Sequence, residues 1–441
     1  MDVSVENPGG LTRRMKVAIP AARVTEAVEA KVRRVGQHAK IPGFRPGKVP
    51  FKVLYQRYGD GARQEVVSEL VQSAFPEALE QAQLKPAGQP ELDLDEVAPG
   101  EPLEFTASFD VYPEIELVGL DAISVEQPSA EVTDADVGKT VERIREQNKA
   151  FVDAEREARD DDQVTVDYVG RIDGEEFAGG TGEDVNIILG EQRFLPDLER
   201  ALVGRTAAEQ FDVDVTFPDD YGSEDVAGKT ATFSVTVKSV QEPELPELDA
   251  EFLEQLGIEE GGVDTLKERI RESLEQEKDN AIDNKVKMQV LDELHKANPI
   301  EVPQSLVGQE IERMRKETMA RLPEHMQNDE EQARQLIPDE SLQESAERRV
   351  ALGLLISEVI KEFGLELDND RVEAKMDEVA ADYGDQADAV KQYYRSNAEL
   401  MQGLQAMVME EQVVEALLEK ASVTEKQVTM DELLNNDGDD E

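Results

Sequence analysis

Apolar side chains recur at every second position near the start of the chain: Val3 and Val5, then Met15, Val17 and Ile19. Pro8-Gly9-Gly10 separates the two runs, which predicts a β-hairpin. The period then lengthens. Val24, Val28, Val32 and Val35 fall near helical spacing and predict a helix from Ala22 to Lys40, with Lys31, Arg33 and Arg34 on its other face. Between Ile41 and Pro50 stand Pro42, Pro46, Pro50, Gly43 and Gly47, which cannot continue it, so that stretch is a loop. A second helical run extends from Phe51 to Lys85, with a break predicted near Gly59-Asp60-Gly61. Strand-like segments at Glu91–Leu94 and Leu103–Tyr112 close this α+β region.

Pro113 to Val152 reads as a connector with one helix, N-capped by Thr133 and periodic in Val137, Val141 and Ile144. Alternation returns in Val164, Val166 and Tyr168, in Phe211, Val213, Val215 and Phe217, and in Ala231, Phe233, Val235 and Val237. One short helical segment, carrying Phe194, Leu195, Leu198 and Leu202, lies among them. The pattern predicts a small antiparallel sheet wrapped on one helix, with its exit at Pro243 and Pro246. From Leu248 the chain reads as helical. The longest stripe, from Val263 and Leu266 to Val290 and Leu294, stops at Asn298-Pro299. A second helix starts near Pro303 and a third spans Glu340 to Phe363. Asn435 to Glu441 is acidic and polar, and is expected to be disordered.

Composition narrows the function classes. A chain of 441 residues predicts two to four domains. The absence of Cys excludes disulfides, a thiol nucleophile and a Cys-ligated zinc site. No signal-peptide-like apolar segment opens the chain, and no run approaches about 20 apolar residues, so a cytoplasmic protein without a membrane span is expected. Net charge is −52 but unevenly spread: Met1–Asp60 holds 12 Lys+Arg against 5 acids, or +7, which leaves −59 for the remainder. A basic head on an acidic body can approach a polyanion that repels the rest. Salt adaptation or solubility could account for the acidity but not for the head.

The loop Gly43 to Pro50 carries the sharpest local chemistry. Phe44 sits beside Arg45 and Lys48 among glycines and prolines. Either the ring is an exposed anchor, with the cations neutralising phosphates or carboxylates, or it tucks under the loop as a local core. A P-loop is excluded, because three residues separate Gly43 from Gly47 and Val49 follows Lys48. His38, His295 and His325 are dispersed, and Asp368-Asn369-Asp370 lacks the glycine of a calcium loop and reads as a helix start. No cofactor or metal site is expected.

Gly43-Phe44-Arg45-Pro46-Gly47-Lys48-Val49-Pro50 after a basic helix resembles the ribosome-docking loop of the bacterial trigger factor family. Further matches follow in order: Gln56-Arg57-Tyr58-Gly59, Pro86-Ala87-Gly88, Val111-Tyr112-Pro113-Glu114, Val132 to Val137, Asp173 to Phe177, Val215-Thr216-Phe217-Pro218, Glu244 to Leu248 and Val423 to Lys426. Together they cover nearly the whole chain. The resemblance implies a multidomain α+β protein: a ribosome-binding domain over 1–112, a connector over 113–151, an FKBP-type antiparallel sheet around one helix over 152–246, an all-α client-binding domain with arms over 247–434, and an acidic tail over 435–441. It makes Gly43, Phe44, Arg45, Gly47 and Lys48 the docking residues. Pro46 stands where many relatives carry a second cation.

In the β domain it makes Tyr168, Phe177, Phe194, Leu195, Tyr221 and Phe233 pocket residues of a prolyl isomerase. Val185 and Leu198 replace aromatics there, and Ala178 replaces an acid. Weak activity is expected. Read from the residues alone, the same aromatics are an ordinary sheet core, because alternating aromatics on strands are normally packing. Nine of the eleven methionines follow Leu248, which suits adaptable apolar binding or simple helix packing. The implied partners are the ribosome near the polypeptide exit (protein and rRNA), nascent and unfolded polypeptides, and a second copy when free; membranes are not. The implied activity is ATP-independent holding with prolyl isomerisation. The alternatives are a dedicated prolyl isomerase and a non-catalytic acidic scaffold.

Overall fold

A computed structural model describes residues 1–434 apart from 40, 43, 45–47, 95–99, 192–193, 218–225, 322–329 and 382. The chain divides into two compact units, residues 1–127 with 284–426 and residues 128–283 with 427–441.

The first unit begins with the expected hairpin, β1 (Asp2–Gly9) and β2 (Thr12–Ile19), followed by α1 (Ala21–His38), α2 (Phe51–Ala82), β3 (Pro86–Leu94) and β4 (Leu103–Val111). The sheet order is β1-β2-β4-β3. Met15, Val17, Ile19, Leu103, Phe105 and Phe109 from one sheet face pack with Val24, Val28 and Val32 of α1 and Leu54, Val66 and Val71 of α2. The predicted break at Gly59-Asp60-Gly61 is absent, because α2 runs unbroken through it. Glycine costs about 1 kcal/mol in a helix, and the buried stripe of Leu54, Gly59, Ala62 and Val66 outweighs that. Gly36 marks the helix–helix contact: a Cβ there would lie 2.4 Å from Leu54 Cδ1. Strand β3 begins before Glu91, since Pro86 and Ala87 already pair with Val111 and Asp110 before a register shift.

A short strand, β5 (Ser124–Ser129), leads into the second unit. Its helix α3 (Asp134–Gln147) opens on a capping box: Thr133 Oγ1 accepts from the Asp136 N–H, and Asp136 Oδ2 accepts from the Thr133 N–H at 3.0 Å. Next come β6 (Ala150–Asp153), β7 (Gln163–Ile172), β8 (Glu175–Ile188), α4 (Pro196–Leu202), β9 (Gln210–Thr216) and β10 (Thr230–Glu244). The strands form one antiparallel sheet, ordered β6-β10-β7-β8 with β9 also on β10. Leu198 and Leu202 of α4 are fully buried with Val164, Val166, Val235 and Val237. Two helices follow, α5 (Ala250–Gln255) and α6 (Gly262–Ala297). Val137 and Val141 of α3 share a core with Leu253, Leu266, Ile270 and Leu274, so the connector helix packs rather than merely spans.

The remaining helices are α7 (Gln304–Met319), α8 (Glu330–Leu336), α9 (Asp339–Phe363), α10 (Asn369–Ala381), α11 (Ala387–Ser396) and α12 (Ala398–Leu418). The N-terminal sheet is fastened to α7: Ser305 donates its N–H to Asp110 Oδ2 at 3.1 Å and its hydroxyl to the Ala87 carbonyl. Arg315, buried at 3% exposure, donates Nε to the Ile337 carbonyl and pairs with Asp339, joining α7 to the start of α9. The region is not wholly helical. Residues Ser422–Gln427 form β11 against β5, before α13 (Met430–Leu434). Exposed throughout, β11 has no buried face to write an alternating pattern. Residues 435–441, expected to be disordered, lie outside the described residues. Among the described residues, no helix is long and apolar enough to cross a membrane.

Candidate functional site

The loop between α1 and α2 leaves the Phe44 ring outside the core. Ile41, 7% exposed, takes the core position under the loop, with Val49 and Phe51 packed on the same cluster. Phe44 is turned outward at 40% exposure, its N–H donating to the Ile41 carbonyl at 3.1 Å in a tight turn. Lys48 is exposed. The Arg33 guanidinium lies 5.2 Å from the centroid of the Phe51 ring and locks the start of α2 against α1. The other expected docking residues, Gly43, Arg45 and Gly47, lie outside the described residues, as does Pro46.

In the β domain the structure gathers the expected aromatics into one chain of edge-on contacts. Tyr168 meets Phe194 and Phe233, each at 5.7 Å between centroids. Phe177 meets Phe233 at 6.2 Å and Phe217 at 6.0 Å. Phe233 and Leu198 are buried, at 2% and 0% exposure, in the core of this domain. Tyr168, Phe177, Val185, Phe194 and Leu195 are half-buried and pack against that core. Phe194 and Leu195 precede the helix rather than sit in it, because Pro196 starts α4 and fixes Leu195 as its cap. Tyr221 lies outside the described residues. Phe217 belongs to the cluster but is legible in the sequence only as the last apolar position of an alternating run; it lies just past the end of β9.

Local devices aim these rings. Tyr168 pairs with Gly182 across β7 and β8, whereas Val166 pairs with Val185, so β8 bulges between them. The bulge is held by the Asp184 N–H donating to Asp167 Oδ1 at 2.7 Å, and by Lys238 bridging Asp167 and Asp184 at 2.9 and 2.6 Å. Those contacts, the Asp184 N–H first and then Lys238, hold the Asp167 carboxyl below its ordinary range. Gly182 leaves room for a ring, since a Cβ there would lie 2.8 Å from Tyr168 Cε1. Glu199, only 6% exposed, accepts the Phe194 N–H at 2.9 Å and pins the segment that carries the ring.

The helices of the first unit offer a third surface. Met319 and Met376 are buried, as is Met430 of the second unit, whereas Met288 and Met407 are exposed at 59% and 45%. Lys287 and Glu410 pair at 2.6 Å, so the turns carrying the two exposed thioethers adjoin. Met314, Met401 and Met409 are half-buried, and Met326 lies outside the described residues.

Comparison with known proteins agrees with these elements. Residues 1–144 match the family model of bacterial trigger factor protein, 262–419 that of its C-terminus, and 154–238 that of FKBP-type peptidyl-prolyl cis-trans isomerase. The trigger factor of Thioalkalivibrio sulfidiphilus is 44% identical over 99% of this chain and 98% of its own. That of Halorhodospira halophila is 43% identical over 100% of this chain and 99% of its own. A solved trigger factor chaperone structure aligns over 95% of this chain and 99% of its own, at 20% identity and a TM-score of 0.47. The chain belongs to the bacterial trigger factor family, chaperones that carry an FKBP-type domain.

Proposed function

We propose that this chaperone works in the cytoplasm, docks on the ribosome near the polypeptide exit through the Phe44 loop, and holds emerging chains on its helical surface without nucleotide. The roles follow the domains: docking by 1–112, isomerisation by 152–246 and client holding by 247–434. The observation that carries the reading is the outward Phe44 on an acid-free, cationic tip of an otherwise acidic chain. A solvent-exposed ring with neighbouring cations is an anchor that gains its burial only on docking. Client holding draws on exposed apolar side chains such as Met288 and Met407, whose thioethers adapt to irregular partners. Such surface also favours pairing with a second copy when no client is present.

The β domain adds slow prolyl isomerisation. Resonance sets the X–Pro barrier at about 18–20 kcal/mol. The twisted amide is less polar than the planar one, so a water-free wall of Tyr168, Phe177 and Phe194 favours it. Val185 and Leu198 leave less aromatic surface than a fully aromatic pocket would, which keeps the acceleration small.

Ribosome co-sedimentation of wild type and Phe44→Ala tests the docking reading. Loss of about tenfold to a hundredfold in affinity, the share of one anchoring aromatic, is the expected result. Equal pelleting of both proteins would overturn it.

A further inference from the structure

The chain has eleven methionines but neither Cys nor Trp. Its thioethers are therefore the side chains most open to oxygen-atom transfer. Burial divides them sharply. Met15, Met319, Met376 and Met430 are at most 5% exposed. Met1, Met314, Met401 and Met409 are half-buried, and only Met288 and Met407 are exposed among the described residues, at 59% and 45%. A second observation joins these two. Lys287 Nζ on α6 lies 2.6 Å from Glu410 Oε1 on α12. Met288 directly follows Lys287, and Met407 shares a helix face with Glu410 three residues on. The ion pair thus brings together the two turns that carry the exposed thioethers.

We propose that Met288 and Met407 form a paired oxidation site, through which an oxidant of the hydroperoxide class reversibly lowers the hold of the chain on clients. This rests on the client-holding reading of these two side chains and adds its regulation. In the step itself the thioether sulfur attacks one peroxide oxygen. An S–O bond forms, the O–O bond breaks, and the departing oxygen takes the proton and leaves as water. Sulfur gives up two electrons and the peroxide gains them. The product is a polar, chiral sulfoxide in place of an adaptable apolar tip. Burying it against a client costs the hydration of its dipole, so holding weakens. The fold is spared, because both side chains lie at the surface. With no Cys, the chain cannot reduce the sulfoxide itself. An external dithiol-driven sulfoxide reductase restores it, yielding thioether, disulfide and water.

The test is limited hydrogen peroxide treatment of the full chain, with peptide mass spectrometry and aggregation suppression read on the same samples. Met288 and Met407 should oxidise ahead of every half-buried and buried methionine. The chaperone concentration that halves aggregation should then rise about tenfold, the share of one buried side chain. The melting temperature should stay within about 2 °C, as for a surface change, and sulfoxide reductase should return holding to its untreated level. In Met288→Leu/Met407→Leu the ratio of treated to untreated holding should stay near one, whatever the untreated level. That variant keeps Met326, which lies outside the described residues, so any effect of Met326 shows there. Met288→Gln/Met407→Gln should show the loss without oxidant. A Leu variant as peroxide-sensitive as wild type would overturn the proposal, and so would oxidation of Met314, Met401 or Met409 at the rate of the exposed pair. If wild type carrying both sulfoxides holds clients as the untreated protein does, the oxidation site alone falls. If untreated wild type does not suppress aggregation, the client-holding reading falls and takes this one with it.

Discussion

Two buried carboxylates show what single residues do in the β domain. Glu199 holds the Phe194 N–H, so Glu199→Ala leaves a donor without its partner and frees the ring from Tyr168. The expected cost is about 1–3 kcal/mol, read by calorimetric melting of the full chain. Proline-limited refolding should slow further than that loss explains, and Glu199→Gln should restore part of both. Asp162, 1% exposed, accepts from Arg156 Nη1 at 2.6 Å, Arg156 Nη2 at 2.9 Å and the Arg159 N–H at 2.8 Å. Burial pushes its carboxyl up, but the Arg156 and Arg159 contacts together outweigh that and hold it below the ordinary range. A depressed folded value means the stabilisation is complete above the unfolded value of about 3.9 and is lost as pH falls through the folded one. Asp162→Asn should therefore cost about 3 kcal/mol at pH 7 and flatten the acid dependence of melting below about pH 4. A variant as stable and as acid-sensitive as wild type would contradict this.

Secondary elements are legible where a periodic face is buried or where local turn and cap chemistry marks their ends. Strands β2, β7 and β10 and helix α3 each bury a periodic set of side chains, so there the period of the sequence carries the fold; β1, with no buried residue, is legible through its alternation and the Pro8-Gly9-Gly10 turn. Strand β11 buries nothing, so no strand period stands out from the helical reading of the region. The glycines of α2 pointed to a break, because propensity is local and the packing that overrides it is not. The glycine that matters is Gly36. Ala is the better helix former, yet Gly36→Ala would place a Cβ 2.4 Å from Leu54 Cδ1, and Leu54 is itself buried at 6% exposure. Overpacking should destabilise the α1–α2 hairpin by about 1–3 kcal/mol, measured by denaturant unfolding. Stabilisation by the same substitution would show that the helices can move apart. In the site, the aromatics were legible but their division was not. The burial of Leu198 and Phe233, the half-exposure of Tyr168 and Phe194, and the Glu199 contact to the Phe194 N–H all follow from tertiary packing that no spacing announces. The same holds for Phe44, where the sequence left anchor and core open until Ile41 was seen to fill the core.

At the scale of the whole molecule, charge and family agree. A head of +7 on a remainder of −59 confines attraction for a polyanion to the region that carries Phe44. On the proposed function, acidity elsewhere limits adhesion to RNA and aggregation, while exposed apolar side chains such as Met288 and Met407 hold clients by burial. Docking and holding should then be separable. The most direct measurement compares wild type with Phe44→Ala/Arg45→Ala in two assays: co-sedimentation with translating ribosomes, and suppression of aggregation of an unfolded protein in solution without nucleotide. The account predicts that the double variant loses co-sedimentation and keeps aggregation suppression at the wild-type level. Undiminished co-sedimentation of the double variant would contradict it.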